Sequence, residues 1–276
     1  DNATWADRAA PPPTQTGTNV SASDSIVSGK LGLVYKPVPH GSIYAAYGTS
    51  QQPPGGSNFT LNANPSNINN PNMEPQKATN IELGTKWEVL DRRLALTAAV
   101  FRSENRNDLS QPDPITGDIT QYGKKRVSGV ELGMVGAVTP AWSVIAGLQK
   151  LNTRVTQGSN TQTGASLNWS PELSFTAWTT YRFPFGLTVG GGARYMDSVV
   201  RSISNSANAA TTNMLNVPSY WVFDALVAYQ VNRNLSLQLN VYNLTDKFYV
   251  ALLNNNGNRY VPGVSRSALL TANLQF

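Results

Sequence analysis

The chain of 276 residues holds one histidine, His40, and no cysteine. His40 lies in the turn-like stretch Pro-Val-Pro-His-Gly, and nothing near it supplies both a nucleophile and an orienting carboxylate, so triad-type catalysis lacks its parts. With no thiolate and one imidazole, a metal would have to be held by oxygen ligands alone or arrive already chelated. The Gly190 to Gly192 run lacks the spacing of a phosphate-cradling loop and reads instead as a strand relieved of side chains in a crowded interior. An enzyme is therefore not expected. The net charge of +5 has no concentrated basic patch behind it, the densest run being Lys124, Lys125 and Arg126, so nucleic acid is not an expected partner.

What remains is recognition by side chains held on a scaffold, and the scaffold is legible. Only 13% of residues are Asp, Glu, Lys or Arg, about half the share of an ordinary soluble domain. Asn, Gln, Ser, Thr and Gly take their place, which suits a wet interior and long hydrated loops. Segments of period two recur over 25–36, 42–49, 79–89, 94–103, 127–138, 142–151, 172–182, 187–196, 220–230, 235–243 and 264–276, eleven strands in all. Leu235, Leu237, Leu239 and Val241 face away from Ser236, Gln238 and Asn240; Trp221, Phe223, Ala225, Val227 and Tyr229 share one face. No apolar run reaches the roughly 18 residues of a membrane helix, whereas the strands have the roughly 9 to 11 residues that cross a bilayer at a tilt.

Connections alternate between short turns (Pro-Val-Pro-His-Gly, Leu-Asp-Arg-Arg, Thr-Pro-Ala, Phe-Pro-Phe, Val-Asn-Arg-Asn) and long loops over 50–78, 104–126, 152–171, 197–219 and 244–263. Short turns on the periplasmic side and long loops outside are the habit of outer-membrane barrels. Tyr35, Trp87, Trp142, Tyr181, Phe183, Phe185 and Tyr229 collect beside the short turns as an interfacial girdle. The expected fold is thus all-β, an antiparallel up-and-down transmembrane β-barrel in the bacterial outer membrane, in contact with its lipid. Eleven strands break the even count of single-chain bacterial barrels. Residues 1–24, with the triplet Pro11 to Pro13, read as an extracellular loop segment, and 25–276 as the C-terminal part of a larger barrel whose start, including any signal peptide, lies upstream.

Three stretches carry a more specific likeness. Asn-Leu-Thr-Asp-Lys-Phe-Tyr at 243–249, then Pro262-Gly263, Arg266 and a last strand ending in Phe276, resembles the C-terminus of TonB-dependent outer-membrane receptors. The segment from Pro75 through Glu82, Gly84 and Lys86, and the strand pair over 127–148, are similar to the siderophore-receptor branch, with Gln76 where Glu is usual and Thr245 where an aromatic is common. The resemblance implies half of a 22-stranded barrel plugged by an N-terminal domain absent from this sequence, importing ferric siderophores with energy passed through the TonB complex by that N-terminal region. It also implies that iron comes only as the siderophore chelate, with no cofactor bound by the protein itself. Bulky anionic or aromatic chelates call for Arg, Lys and Tyr on the outer loops and upper inner wall. Tyr122, Lys124, Arg194, Arg201, Arg259 and Tyr260 are the candidates, although for any one of them taken singly the plainer reading, a solvated loop residue, comes first. Phe276 is the expected recognition point for the barrel-assembly machinery, or the last girdle aromatic. The alternative is a complete smaller barrel, a 12-stranded autotransporter translocator or a general pore.

Overall fold

The computed structural model describes residues 20–23, 25–56, 60–112, 119–158, 162–201, 203, 213–254 and 257–276. Most of the proposed extracellular segment 1–24 therefore lies outside the described residues. Fifteen strands follow one another among these residues: β1 (Lys30–Val38), β2 (Gly41–Gln52), β3 (Gln76–Val89), β4 (Leu94–Pro112), β5 (Ile119–Thr139), β6 (Trp142–Gln157), β7 (Leu173–Arg182), β8 (Leu187–Met196), β9 (Val199–Val200), β10 (Asn216–Val217), β11 (Tyr220–Gln230), β12 (Leu235–Tyr242), β13 (Val250–Leu253), β14 (Tyr260–Pro262) and β15 (Ser267–Leu274). Eleven of them form one antiparallel meander in the order β1-β2-β3-β4-β5-β6-β7-β8-β11-β12-β15, with β1 and β15 at its edges; β9–β10 and β13–β14 make two small hairpin sheets. No α-helix occurs among the described residues.

The eleven expected strands coincide with the eleven of the main sheet, and the short turns all fall at one end. At that end Pro39 and His40 form the two-residue link between β1 and β2, and Leu90, Asp91 and Arg92 all take positive φ, near 54°, 57° and 63°, to close β3 on β4. Gly186, at φ 89°, closes β7 on β8 in a conformation that other residues adopt only with strain.

Three expected boundaries need correction. Residues 104–112 and 119–126, expected in a loop, are strand: β4 runs on to Pro112 and β5 starts at Ile119, paired through Glu104↔Arg126, Arg106↔Lys124 and Leu109↔Tyr122 with a bulge between Arg106 and Leu109. β6 likewise continues past Leu151 to Gln157. These extensions rise above the bilayer, where both faces of a strand meet water, so the apolar alternation that betrays a membrane strand is lost. The first strand errs the other way, starting at Lys30 and not at residue 25.

The register fixes which side chains share a wall. The ladder Leu83↔Val100, Val100↔Val130 and Val130↔Lys150 joins one face of β3 to β6, and Tyr195↔Trp221, Phe223↔Ala193, Val227↔Leu239 and Leu239↔Leu270 continue that face to β15. It is an apolar face left uncovered, with Leu31, Leu33, Ile81, Leu83, Val100, Leu132, Leu237, Leu239, Leu270 and Leu274 all exposed. The opposite face holds Glu82, Lys86, Glu131, Gln149, Thr176, Asp224, Gln238, Asn240 and Thr271. A sheet that shows water its polar face and leaves its Leu and Val rows bare is the inverse of a soluble sandwich and the pattern of a lipid-embedded barrel wall.

Aromatics mark both borders of the apolar band. At the turn end Trp142 faces Tyr181 across the ladder, Tyr181 meets Phe183 at 4.9 Å, and Phe183 stacks on Phe185 at 5.4 Å. The Trp142 indole N–H donates to Thr179 Oγ1 at 2.7 Å, satisfying its polar tip while the ring stays in the belt. At the loop end Phe175, Tyr195, Trp221 and Phe223 form a second cluster, with Trp221 4.9 Å from Tyr195 and 5.9 Å from Phe175. Trp221 and Tyr229 lie near the two ends of one strand, about 27 Å apart along it and roughly 20 Å apart in height at the tilt of such barrels, close to the height of their apolar band.

Candidate functional site

The polar wall is crosslinked rather than merely wet. The Tyr44 hydroxyl donates to Glu82 Oε1, with Lys86 Nζ 5.5 Å from the Tyr44 ring centroid. Gln149 donates to Glu131 Oε1 at 2.6 Å. Tyr44 projects over Gly84, where a Cβ would strike its ring, so the glycine makes the space that lets the phenol lie along the sheet. Trp178 lies over Gly192 in the same way, with Gly190 beside it. This bears out the reading of the glycine run as a strand stripped of side chains.

At the loop end of this wall sits Arg194, between Thr176 and Val222 in the ladder and exposed on the polar side. Among the described residues no carboxylate lies within ion-pair distance of it. Beside it the polar wall is roofed. Tyr220 and Val222 share the parity of Arg194 yet are buried, because the loop after β12 folds over them: Tyr249 stacks at 4.4 Å on Tyr220, and the Tyr220 hydroxyl contacts Met196 Sδ at 3.7 Å. A guanidinium beside two stacked phenols can receive a ligand that is both anionic and aromatic.

The roof has its own core. Val199, Val217, Val250 and Leu253, with Met214 against them, bring β9, β10 and β13 together. Arg201, proposed from sequence as a ligand residue, holds this roof together: its Nε donates to the Met214 carbonyl at 3.1 Å, and it packs where a Cβ on Gly257 would clash. Arg259 and Tyr260 lie at the exposed tip of the β13–β14 hairpin, where Asn254 caps Arg259 by accepting from its N–H at 3.1 Å and Tyr260 meets Phe248 edge-on at 6.3 Å. Thus Arg194, Arg201, Arg259 and Tyr260 belong to one end of one region. Tyr122 and Lys124 do not: both are on the β5 extension, and Lys124 shares the parity of Arg126, on the lipid-side face. Tyr220 and Tyr249 escaped notice because one opens a strand and the other closes a C-terminal motif, and neither place advertises a stack.

That motif works as a brace. Asn243, 2% exposed and at φ 49°, donates from its amide to the Lys247 and Val264 carbonyls, both at 2.9 Å, and accepts from Lys247 N–H at 2.9 Å, while its own N–H donates to Asp224 Oδ1 at 2.8 Å. Asp246 accepts from the Arg266 N–H at 3.0 Å. The roofing loop therefore leaves and rejoins the wall at a fixed point.

A second brace stands on the β4–β5 extension. Glu104 accepts from Arg126 Nη2 at 2.9 Å and from Arg106 Nε at 2.8 Å. The Arg126 hydrogen bond, opposed by burial and reinforced by Arg106, keeps the Glu104 carboxyl below the usual carboxylate range. Lys125 pairs with Asp108 close by. Further out, Gln121 locks the 60–75 segment by accepting from Glu74 N–H at 2.6 Å and donating to the Glu74 carbonyl at 2.9 Å.

Fold and site together define an outer-membrane β-barrel receptor segment: a lipid-facing apolar sheet with a polar inner wall and, over its loop end, a roof built from β9, β10, β13 and β14. The chain belongs to the family described as TonB dependent receptor-like, beta-barrel, which matches residues 3–244. It is 43% identical over 265 residues to the catecholate siderophore receptor Fiu of Escherichia coli K12, covering 95% of this chain and 34% of the relative. To the probable TonB-dependent siderophore receptor PiuA of Acinetobacter baumannii it is 38% identical over 239 residues, 82% of this chain and 31% of the relative. Its fold superposes on the crystal structure of the closed form of the ferric-catecholate import receptor Fiu with a TM-score of 0.79 at 44% identity, over 90% of this chain and 34% of that one. The chain thus spans about a third of the length of these relatives.

Proposed function

We propose that this chain supplies the C-terminal half of a 22-stranded barrel whose loops and upper inner wall select a ferric siderophore of anionic, aromatic character for TonB-dependent uptake. The observation that carries this reading is the exposed Arg194 guanidinium beside the stacked Tyr220–Tyr249 pair, on the polar wall and under an ordered loop roof. Relatives whose names specify catecholate siderophores and their import point to the same ligand class. Arg259 and Tyr260, at the hairpin tip, meet the chelate first, and Arg194 receives it deeper. Arg201 acts by positioning, through the roof it ties together. Iron enters bound to the siderophore, and no cofactor of the protein's own takes part. The TonB complex acts through the N-terminal region of the receptor, and the barrel-assembly machinery engages Phe276, which extends fully exposed past β15.

The test is binding of a ferric tris-catecholate and a ferric hydroxamate to the full-length receptor in detergent, followed by fluorescence quenching. The catecholate is expected to bind more tightly, and Arg194→Ala to weaken it by about tenfold, the loss of a charge-assisted contact. Equal affinity of wild type and Arg194→Ala for the catecholate would remove Arg194 from the site.

A further inference from the structure

The inner faces of β7 and β8 differ from the rest of the polar wall. Their ladder sets Thr176 opposite Arg194, Trp178 opposite Gly192, Thr180 opposite Gly190 and Arg182 opposite Thr188. An arginine thus stands at each end of the strip, the two about 20 Å apart along the strands, and between them come only threonines, glycines and one indole. Both guanidiniums are on exposed residues, and among the described residues neither has a carboxylate within ion-pair distance. β6, β7 and β8 carry no Asp or Glu. Carboxylates of the polar wall stand elsewhere: Glu82, Glu88 and Glu131 on β3 and β5, and Asp224 beside the strip on β11, where the Asn243 N–H engages it.

A cation at the turn end of a membrane strand commonly snorkels along the lipid face, but Arg182 shares the parity of Trp178 and Thr180 and so lies on the polar wall. The strip is also low in relief. Gly190 and Gly192 leave the room into which Trp178 settles, since a Cβ on either would crowd its ring, and glycine in a strand marks a place where something approaches the backbone closely. A confined path lined by one sign of charge concentrates the opposite ion, and weak sites repeated along it let that ion leave each one again. We infer that this strip is the wall along which the anionic ferric chelate descends from the outer site, with Trp178 as an aromatic step and Arg182 as the residue that receives it at the periplasmic end. The inference rests on the ligand class proposed above. The acidic sector of β3 to β5 takes no part in the passage.

The experiment uses cells in which the full-length receptor is the one route for a radiolabelled ferric tris-catecholate, comparing binding by energy-depleted cells with uptake by energised ones. Thr180→Glu, which puts a carboxylate in the middle of the strip, is expected to leave binding unchanged and to slow uptake by roughly tenfold, the low end of what charge along a confined path does to rates. Thr180→Gln, alike in size but neutral, is expected to recover most of that loss. Thr97→Glu puts the same charge on the inner face of β4 and is expected to import at the wild-type rate. Wild-type uptake by Thr180→Glu would overturn the inference, and so would equal slowing by Thr97→Glu or by Thr180→Gln, since either removes the strip or its charge from the explanation. Should Thr180→Glu fail to assemble, Arg182→Gln puts the question instead: normal binding with uptake slowed about threefold is expected, and unchanged uptake would refute the passage. The two readings fail separately. A wild type that does not bind the chelate ends the ligand class and this inference with it, whereas intact binding with indifferent uptake ends the passage alone.

Discussion

Asn243 shows how much one buried polar side chain can organise. Its three side-chain hydrogen bonds tie residues on both sides of a long loop to one point of the wall. Asn243→Ala leaves two carbonyls and one N–H without that partner, and about 2 to 3 kcal/mol of stability against urea is expected to be lost; a change below a few tenths would mean that the brace is ornamental. Asn243→Gly, which relieves the positive φ but also removes the amide, is expected to fare no better than half-way between. Glu104 gives a pH dependence of definite sign. Its folded pKa lies below the ordinary 4.5, so its contribution is present above that value and fades as pH falls through the lowered one. The protection of amides in the β4–β5 extension, taken relative to the intrinsic exchange rate at each pH, should fall on acidification in the wild type and lose that acid dependence in Glu104→Gln.

At the scale of elements, the lipid-facing assignment makes neighbouring residues respond oppositely. Leu237 points outward from β12 and Gln238 inward. Leu237→Arg is expected to oppose folding into bilayers by roughly 2 to 4 kcal/mol if it lies near the midplane, while Gln238→Arg should cost little. Equal costs in denaturant titrations would contradict the parity. The glycine run of β8 makes a similar demand, because Gly192→Val would drive a side chain into Trp178. A loss of roughly 1 to 3 kcal/mol is expected, the usual penalty of overpacking, and Trp178→Leu in the same protein should restore most of it. Strands such as β8 and β11 were legible to the residue because one face of each must be apolar. The β4–β6 extensions were not, since strand pairing in water imposes no such alternation, and the small β9–β10 and β13–β14 sheets were hidden in loops for the same reason. Arg194 was legible by its parity; the Tyr220–Tyr249 stack depends on a fold-back of 29 residues that no local pattern encodes.

Taken whole, the molecule is an antiparallel wall with three chemical surfaces: an apolar belt edged by aromatics, a polar inner face with the exposed Arg194 near its loop end, and a basic fringe on the outer face of β3 to β6. Only the first was written plainly in the sequence, because lipid constrains every second residue while a ligand constrains a few. A barrel wall of this kind requires that the apolar rows face lipid and the polar rows face a lumen. The direct measurement is a nitroxide scan of β12 in bilayers, placing single cysteines from Leu235 to Tyr242 in a chain with no native cysteine and comparing relaxation by oxygen and by a water-soluble nickel chelate. Oxygen should dominate at Leu235, Leu237, Leu239 and Val241, and nickel at Ser236, Gln238 and Asn240. Uniform accessibility along the strand, or the inverse pattern, would contradict the claim.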